Sequence, residues 1–145
     1  VAETLGIALN RQGGNLDIDL LFNSALLHDI AKGRTRHETA GAKLLRELGL
    51  HPLGDIVAGH RDAPPPTSGI FTEKEVVCLA DKLVRGKYHV GVRQRFQEKL
   101  ALYNGKKATC RAIRGRMNNA LALQEMVERA TGMEIAMLLG RRQEG

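Results

Sequence analysis

The amino-acid sequence predicts an all-α protein, a compact bundle of about six to eight helices. Signals for helix starts and stops recur along the chain, whereas the apolar-polar alternation of strands is almost absent. Aromatic residues make up 3% and Trp is absent, so Leu, Ile, Val, Ala and Met must build the core, a mixture that favours helices. The 145 residues are the usual size of one domain, and we expect a single domain over residues 1–145.

The first part of the chain predicts four helices, each with a local start or stop signal. Gly13-Gly14 ends the first helix, and Asp17 or Asp19 supplies an N-cap for the second. Thr35 to Glu38 fits a capping box for the third helix, which accounts for Glu38 without a catalytic role. The predicted spans are about 1–12, 19–31, 35–49 and 52–60.

The second part begins with a loop over residues 62–71, because Pro64-Pro65-Pro66 cannot donate helix hydrogen bonds. Thr72 to Glu75 is a second capping box, which opens a helix that we expect to end at about Gly86. A short link and a turn at Asn104-Gly105 separate the remaining helices. Their predicted spans are about 92–103, 106–131 and 133–139.

The net charge of +6 is compatible with two classes of function. One is an enzyme whose positive field steers an anionic substrate, and the other is a non-catalytic module that binds a nucleotide, RNA or an acidic protein. Lys107, Arg111 and Arg114 form one positive helix face, which we interpret as solvated, with nucleic acid as a partner that is not favoured. No membrane span or secretion signal is indicated, so we expect a cytoplasmic protein without a membrane partner.

His28 and Asp29 stand side by side at the end of an apolar run, in the stretch LLHDIAK. Neighbouring helix residues differ by ~100° in direction, so the pair can grip one divalent metal ion from adjacent sides. A hydrogen-bonded helix end explains the dipeptide as well. The pair alone therefore leaves both interpretations open.

The surrounding motifs resemble those of the HD superfamily of metal-dependent phosphohydrolases. ALLHDIAKG at Ala25 to Gly33 is similar to the central motif of that family, and Asp81 in CLADKL matches its distal metal-binding aspartate. His37 in RHETAGAKLL and His60 in IVAGHRD match the two additional histidines of the subgroup that holds two metal ions. The ordered set of His28, Asp29, His37, His60 and Asp81 is a far more specific signal for a metal site than the dipeptide alone.

The resemblance implies a helical bundle with the metal site in its interior. His28, Asp29 and Asp81 would bind the first ion, and His37 and His60 would bind the second, with Asp29 as a bridge. Two ions on one carboxylate would activate a water for attack on phosphorus, which makes Asp29 a catalytic residue. Iron or manganese is favoured, and cobalt, nickel, zinc or magnesium stays open.

A phosphorylated, nucleotide-like substrate also needs cations that do not bind metal. Lys32 is placed to reach a phosphate oxygen, and the resemblance implies that it is a catalytic and substrate-binding residue. The alternative is that its charge only complements the dipole at the C-terminal end of a helix. Arg61, Lys82 and Arg85 extend these candidates into a polyphosphate cradle. The expected reaction is hydrolysis of a phosphoester or phosphoanhydride bond of a nucleotide or dinucleoside polyphosphate.

The resemblance covers about residues 1–91, the motif-bearing core, and leaves 92–145 as C-terminal helices. In the family, a further histidine on the preceding helix completes the first metal site, yet no histidine precedes His28. The chain begins at Val1 rather than Met, so we expect an N-terminal truncation and a histidine within ~7 residues upstream, about two helical turns. An additional domain in the full-length protein and a homodimer stay open.

Overall fold

The computed structural model describes residues 1–140, which form eight α-helices and one small two-stranded sheet. The prediction of an all-α bundle is confirmed. No helix in this range combines the length and the apolar character needed to cross a membrane. The helices are α1 (Ala2–Arg11), α2 (Ile18–Leu27), α3 (His37–Glu47), α4 (His51–Ala58), α5 (Glu73–Lys82), α6 (Val92–Leu102), α7 (Lys107–Thr131) and α8 (Ile135–Leu138).

Helix α5 lies at the centre of the bundle and packs against α1, α2, α4 and α7. Its Val76, Val77 and Leu79 are fully buried, and full burial of such a side chain stabilises the fold by about 1.5 to 3 kcal/mol. Because α5 is enclosed by four helices, its last turn places Asp81 inside the protein. The largest fully buried side chains of the other helices are Leu5, Leu21, Leu45, Val57, Val92, Ile113, Leu123 and Val127.

The fifth helix ends at Lys82 rather than at Gly86, so the predicted end is wrong. Instead, strand β1 (Val84–Arg85) pairs antiparallel with β2 (Tyr88–His89). Gly86 opens the two-residue loop with a φ of 62°, which is the conformation that the first loop residue of a type II′ turn requires. Strands of two residues are too short to show an alternating pattern, which is why the sequence did not reveal them.

The second helix is also shorter than predicted, since it ends at Leu27 and not at Ala31. Turns follow, in which the Ile30 N–H donates to the Leu27 carbonyl and the Lys32 N–H donates to the Asp29 carbonyl. These bonds span three residues, as in a tighter turn than the α-helix. Asp29 and Lys32 therefore lie on a turn, which directs them differently from a continued helix.

The capping box at Thr35 to Glu38 is not formed, and that prediction is wrong. The N-cap of α3 is Arg36, with a φ of 51° and no side-chain cap bond. A guanidinium has no acceptor atom for the free N–H groups of a helix, so the start of α3 is not capped by a side chain. The capping box at Thr72 to Glu75 and the Asp17 N-cap are confirmed.

Candidate metal centre

The five predicted metal ligands come together, although they belong to four different parts of the chain. His60 is buried and the other four are partly exposed, so the cluster lies at the edge of the bundle and not in its interior as expected. His28 and Asp29 follow α2, His37 is the first residue of α3, and His60 comes two residues after α4. Asp81 lies in the last turn of α5. The ends of these helices meet at one place because α2, α4 and α5 pack around the same core and α3 packs against α4.

Asp29 is the centre of this cluster. Its Oδ2 lies 3.3 Å from His28 Nε2, while its Oδ1 lies 3.5 Å from His37 Nε2 and 3.7 Å from His60 Nε2. One carboxylate oxygen thus faces the first predicted ion site and the other faces the second. This is the arrangement that a bridging carboxylate requires.

Backbone carbonyls fix the tautomers of two histidines. His28 Nδ1 lies 2.6 Å from the Ala25 carbonyl, and His60 Nδ1 lies 2.7 Å from the Val57 carbonyl. A carbonyl only accepts hydrogen bonds, so each Nδ1 carries the hydrogen and each neutral ring keeps a lone pair on Nε2. Metal-binding histidines are usually oriented by this kind of contact.

The lone pairs of these two rings point toward other acceptors. His28 Nε2 lies 3.1 Å from Asp81 Oδ1, besides its contact with Asp29, and His60 Nε2 lies 3.2 Å from His37 Nε2. A neutral His28 has no hydrogen on Nε2, so its contacts with the two carboxylates become favourable only when a second proton on the ring or a metal ion lies between them. The nitrogen and oxygen donors of this cluster fit a divalent metal ion.

Asp81 is oriented by cations from two helices. Lys82 Nζ lies 2.8 Å from Asp81 Oδ2, and the Arg95 guanidinium donates to the Asp81 carbonyl at 2.6 Å. Burial alone would raise the pKa of Asp81, but the hydrogen bond from His28 and the charge of Lys82 outweigh it and hold that pKa well below its usual range. The carboxylate is therefore ionised and available to a metal at any physiological pH.

His28 and His60 are both partly or fully buried, but their pKa values shift in opposite directions. Burial lowers the pKa of His60 below the ordinary value of 6.5, so that ring is neutral near pH 7 and ready to bind metal. At His28, burial is outweighed by the hydrogen bond to Asp81 and the Ala25 carbonyl, and the pKa is raised. A metal ion must therefore displace a proton from His28.

Metal affinity is expected to fall as the pH is lowered. Because the pKa of His28 is raised, the metal-free ring gains its proton at a higher pH than an ordinary histidine, and that proton competes with the ion. Affinity should decrease by up to about tenfold per pH unit for each proton displaced, once the pH is below this pKa. Mn²⁺ titrations between about pH 6 and about pH 8 test this. An affinity that stays constant over that range would contradict proton competition at His28.

A cavity of about 670 Å³ opens beside the cluster, and His28, Asp29 and Asp81 form part of its wall. Lys32 and Arg85, two of the predicted substrate-binding residues, also line it. Arg85 forms an ion pair with Glu98. The cavity thus combines metal-type ligands with cations in one space. Its complete set of cationic lining residues is Lys32, Arg85, Arg95 and Lys99.

The other two predicted substrate-binding residues do not line this cavity. The Arg61 guanidinium is about half exposed and lies 3.8 Å from Glu38 Oε1. The Lys82 ammonium is buried, with contacts to Asp81 and, at 3.3 Å, to the His60 carbonyl. In this position Lys82 supports two metal ligands, and a contact of Lys82 or Arg61 with substrate stays a prediction.

Three site residues were missed by the sequence interpretation. Arg95 and Lys99 line the cavity, and each stands three residues after a buried apolar residue of α6, Val92 and Phe96. That spacing places them at the edge of the buried stripe, a signal that the sequence contains. Glu38 is the third: its Oε2 lies 3.6 Å from His37 Nδ1 and is buried, with no hydrogen-bond partner in the part of the chain described.

Comparison with protein-family models shows to which family this chain belongs. The HD domain family model matches residues 1–86, more than half of the chain and the segment that carries all five ligands. The chain belongs to the HD-domain family. HD domains bind divalent metals, and the family is of the metal-dependent phosphohydrolase type.

The HD domain has an archaeal relative. The chain is 31% identical over 119 residues to the uncharacterized protein MJ0778 of Methanocaldococcus jannaschii. The match covers 68% of this chain and 70% of the relative. No solved structure matches the chain. The family match ends at residue 86, so α6 and its cavity residues Arg95 and Lys99 lie beyond the matched segment.

Proposed function

We propose that this HD protein is a metal-dependent phosphohydrolase that cleaves a phosphoester or phosphoanhydride bond of a nucleotide or dinucleoside polyphosphate. The observation that carries the proposal is the cavity, in which metal ligands and four cations share one wall. Its volume of about 670 Å³ is in the range of sites for small molecules, roughly 300 to 1,000 Å³. A phosphate group needs positive charge on several sides, and this wall supplies it.

His28, Asp29 and Asp81 would hold one ion, and His37 and His60 would hold a second, with Asp29 between them. When bound, such ions acidify water and stabilise the charge that develops on phosphate oxygens. Iron or manganese is favoured through the family resemblance, and the mixed nitrogen and oxygen donors also suit cobalt, nickel or zinc.

The chain itself supplies a rigid frame for hydrolysis. Carbonyls at Ala25 and Val57 orient two imidazoles, and Lys82 orients Asp81, so little reorganisation is needed during reaction. Lys32, on the cavity wall, would contact phosphate oxygens that the metal does not reach. Water oxygen forms a bond to phosphorus while the ester or bridging oxygen leaves with its electron pair and takes up a proton.

Elemental analysis of purified protein, followed by a hydrolysis screen, tests this function. The substrates are p-nitrophenyl phosphate, nucleotides and dinucleoside polyphosphates, each with and without added Mn²⁺ or Fe²⁺. We expect bound metal and turnover of at least one substrate, both of which a chelator removes. Stoichiometric metal without turnover of any substrate would contradict the enzyme and favour a binding module.

The alternative is a non-catalytic module that binds a nucleotide or RNA through its basic surface. One observation favours it: Lys107, Arg111 and Arg114 line a second cavity of about 480 Å³ at the start of α7. A solvated helix face explains these residues equally well. RNA binding that survives removal of the metal would support the alternative.

Lys32→Ala is expected to slow turnover while the metal content stays unchanged, because an ammonium has no lone pair for a metal. A charge-assisted contact with phosphate is worth roughly 1.5 to 3 kcal/mol, so the rate should fall about 10 to 150-fold. The control is Lys43→Ala, since Lys43 is exposed on α3 and pairs only with Glu47 in the ion pairs of the described chain. If every tested ester were hydrolysed at the unchanged rate, Lys32 would not contact substrate.

A further inference from the structure

Lys99 is one of the two cations that α6 contributes to the wall of the cavity, and the other is Arg95. Arg85 and Arg95 on the same wall are paired with Glu98 and Asp81, respectively. Lys99 has no ion pair with a carboxylate in the described part of the chain. The wall therefore presents an ammonium whose charge the protein does not neutralise by direct contact.

Two further cations approach Lys99 from other elements. Arg116 on α7 is half-buried, and Arg61 follows the metal-ligand candidate His60. We call Arg61, Lys99 and Arg116 the cationic cluster. Partial burial lowers the pKa of Lys99, and the charges that lower it further are Arg116, Arg61, Lys82 and Arg95. The charges with the largest effects on this ammonium are thus of its own sign.

A side-chain hydrogen bond and the packing of two helices bring the elements of the cationic cluster together. Asn119, one turn after Arg116 on α7, donates a hydrogen bond of 3.0 Å to Asp62, the neighbour of Arg61. Helices α6 and α7 pack directly against each other. Three separate elements therefore bring like charges to one place, and like charges so arranged are unfavourable unless an anion joins them.

The carboxylates near the cationic cluster do not cancel it. Glu38 Oε1 lies 3.8 Å from the Arg61 guanidinium, and Asp62 raises the pKa of Arg116, which burial and Arg61 lower. Two carboxylates thus face three cations. Of the three cations, Lys99 lines the cavity.

We propose that the cationic cluster is a second phosphate subsite, which binds a phosphate group other than the one being cleaved. The substrate then carries at least two linked phosphate groups, as nucleoside or dinucleoside polyphosphates do. The inference rests on the proposed hydrolysis of phosphate bonds at the metal centre. Guanidinium groups bind phosphate with two parallel hydrogen bonds, and Lys99 adds a point charge. Two members of the subsite lie beyond the segment that the HD domain model matches.

Rates with inorganic tripolyphosphate and with p-nitrophenyl phosphate test the subsite in the metal-loaded protein. We expect Lys99→Gln and Arg116→Gln to lower kcat/KM for tripolyphosphate relative to that for p-nitrophenyl phosphate, by about 10 to 150-fold for loss of one charge-assisted contact. The control is Lys43→Gln, the same charge change at an exposed lysine of α3. An equal fall for both substrates, or an equal fall in the control, would overturn the subsite.

Calorimetry separates this inference from the proposed function. Chelator-treated protein is titrated with tripolyphosphate and with orthophosphate. Wild type should bind tripolyphosphate at least about tenfold more tightly than orthophosphate, and Lys99→Gln, but not Lys43→Gln, should lose most of that difference. Equal affinity for the two anions would reject the subsite whether or not hydrolysis occurs. A retained difference without hydrolysis of any substrate would reject the proposed enzyme and leave the subsite standing.

Discussion

Asp29→Asn is expected to strip the metal centre and abolish turnover. The two oxygens of Asp29 face His28 on one side and His37 and His60 on the other, so this carboxylate serves both predicted ion sites. Asparagine replaces one oxygen by an NH₂ donor, which cannot bind a metal ion. Changes around the ligands of metal sites typically cost 10 to 100-fold in affinity, so loss of the ligand itself should cost at least about 100-fold. Elemental analysis, Mn²⁺ titration and kcat measure the effect.

Asp19→Asn is the matched control for this variant. Asp19 is exposed in the first turn of α2, so its replacement removes the same charge far from the ligands. We expect normal metal content and turnover in the control. The side chain of Asp29 is 39% exposed, so Asp29→Asn should change the free energy of unfolding of metal-free protein by no more than about 0.5 kcal/mol. Full metal content and full activity in Asp29→Asn would contradict the central role of this residue.

Fold elements with purely local signals could be predicted from the sequence. The capping box from Thr72 to Glu75 forms as expected because both of its hydrogen bonds join residues three positions apart. The three prolines keep residues 62–71 free of helix and strand, and Gly132 ends α7 in the left-handed conformation. In each case the residues that decide the structure are neighbours in the chain.

The errors arose where tertiary structure competes with a local signal. Thr35 to Glu38 has the residue types of a capping box, yet Arg36 takes the left-handed conformation and α3 starts without one. As a result, Glu38 is free to approach His37 and Arg61, which the capping interpretation did not allow. The hairpin around Gly86 was missed because its strands are only two residues long.

In the candidate site, too, some residues could be predicted from the sequence and others could not. The five metal-type residues were predicted from their resemblance to the motifs of the HD superfamily, and the structure brings them together. Their supporting residues depend on contacts between distant parts of the chain, such as Arg95 with the Asp81 carbonyl. Lys82 shows the limit most clearly: its position beside Asp81 suggested a contact with substrate, but the long side chain bends back so that its ammonium contacts Asp81 itself. No pattern in the sequence indicates the direction of a flexible lysine.

Asp81→Asn is expected to remove the metal, as Asp29→Asn does. Unlike Asp29→Asn, it should also destabilise the metal-free protein by about 3 kcal/mol. The Lys82 side chain is only 8% exposed, and without the carboxylate its ammonium stays buried with the His60 carbonyl as a weaker partner. The pKa of Asp81 is held low in the folded state, so its contribution is present above the unfolded-state pKa of about 3.9 and is lost as the pH falls toward the folded-state value. The difference from wild type should therefore be largest near neutral pH and shrink below about pH 4.

Urea denaturation of chelator-treated protein measures this effect, and a second substitution tests its cause. Asp81→Asn combined with Lys82→Met should recover most of the lost stability, because methionine fills a similar volume without a buried charge, but it should not recover metal binding. If the single variant unfolds at the same urea concentration as wild type near neutral pH, or the double variant is no more stable than the single one, the buried pair does not stabilise the fold. Separate effects on stability and metal content would show that Asp81 serves the protein twice, as a metal ligand and as the counter-charge of Lys82.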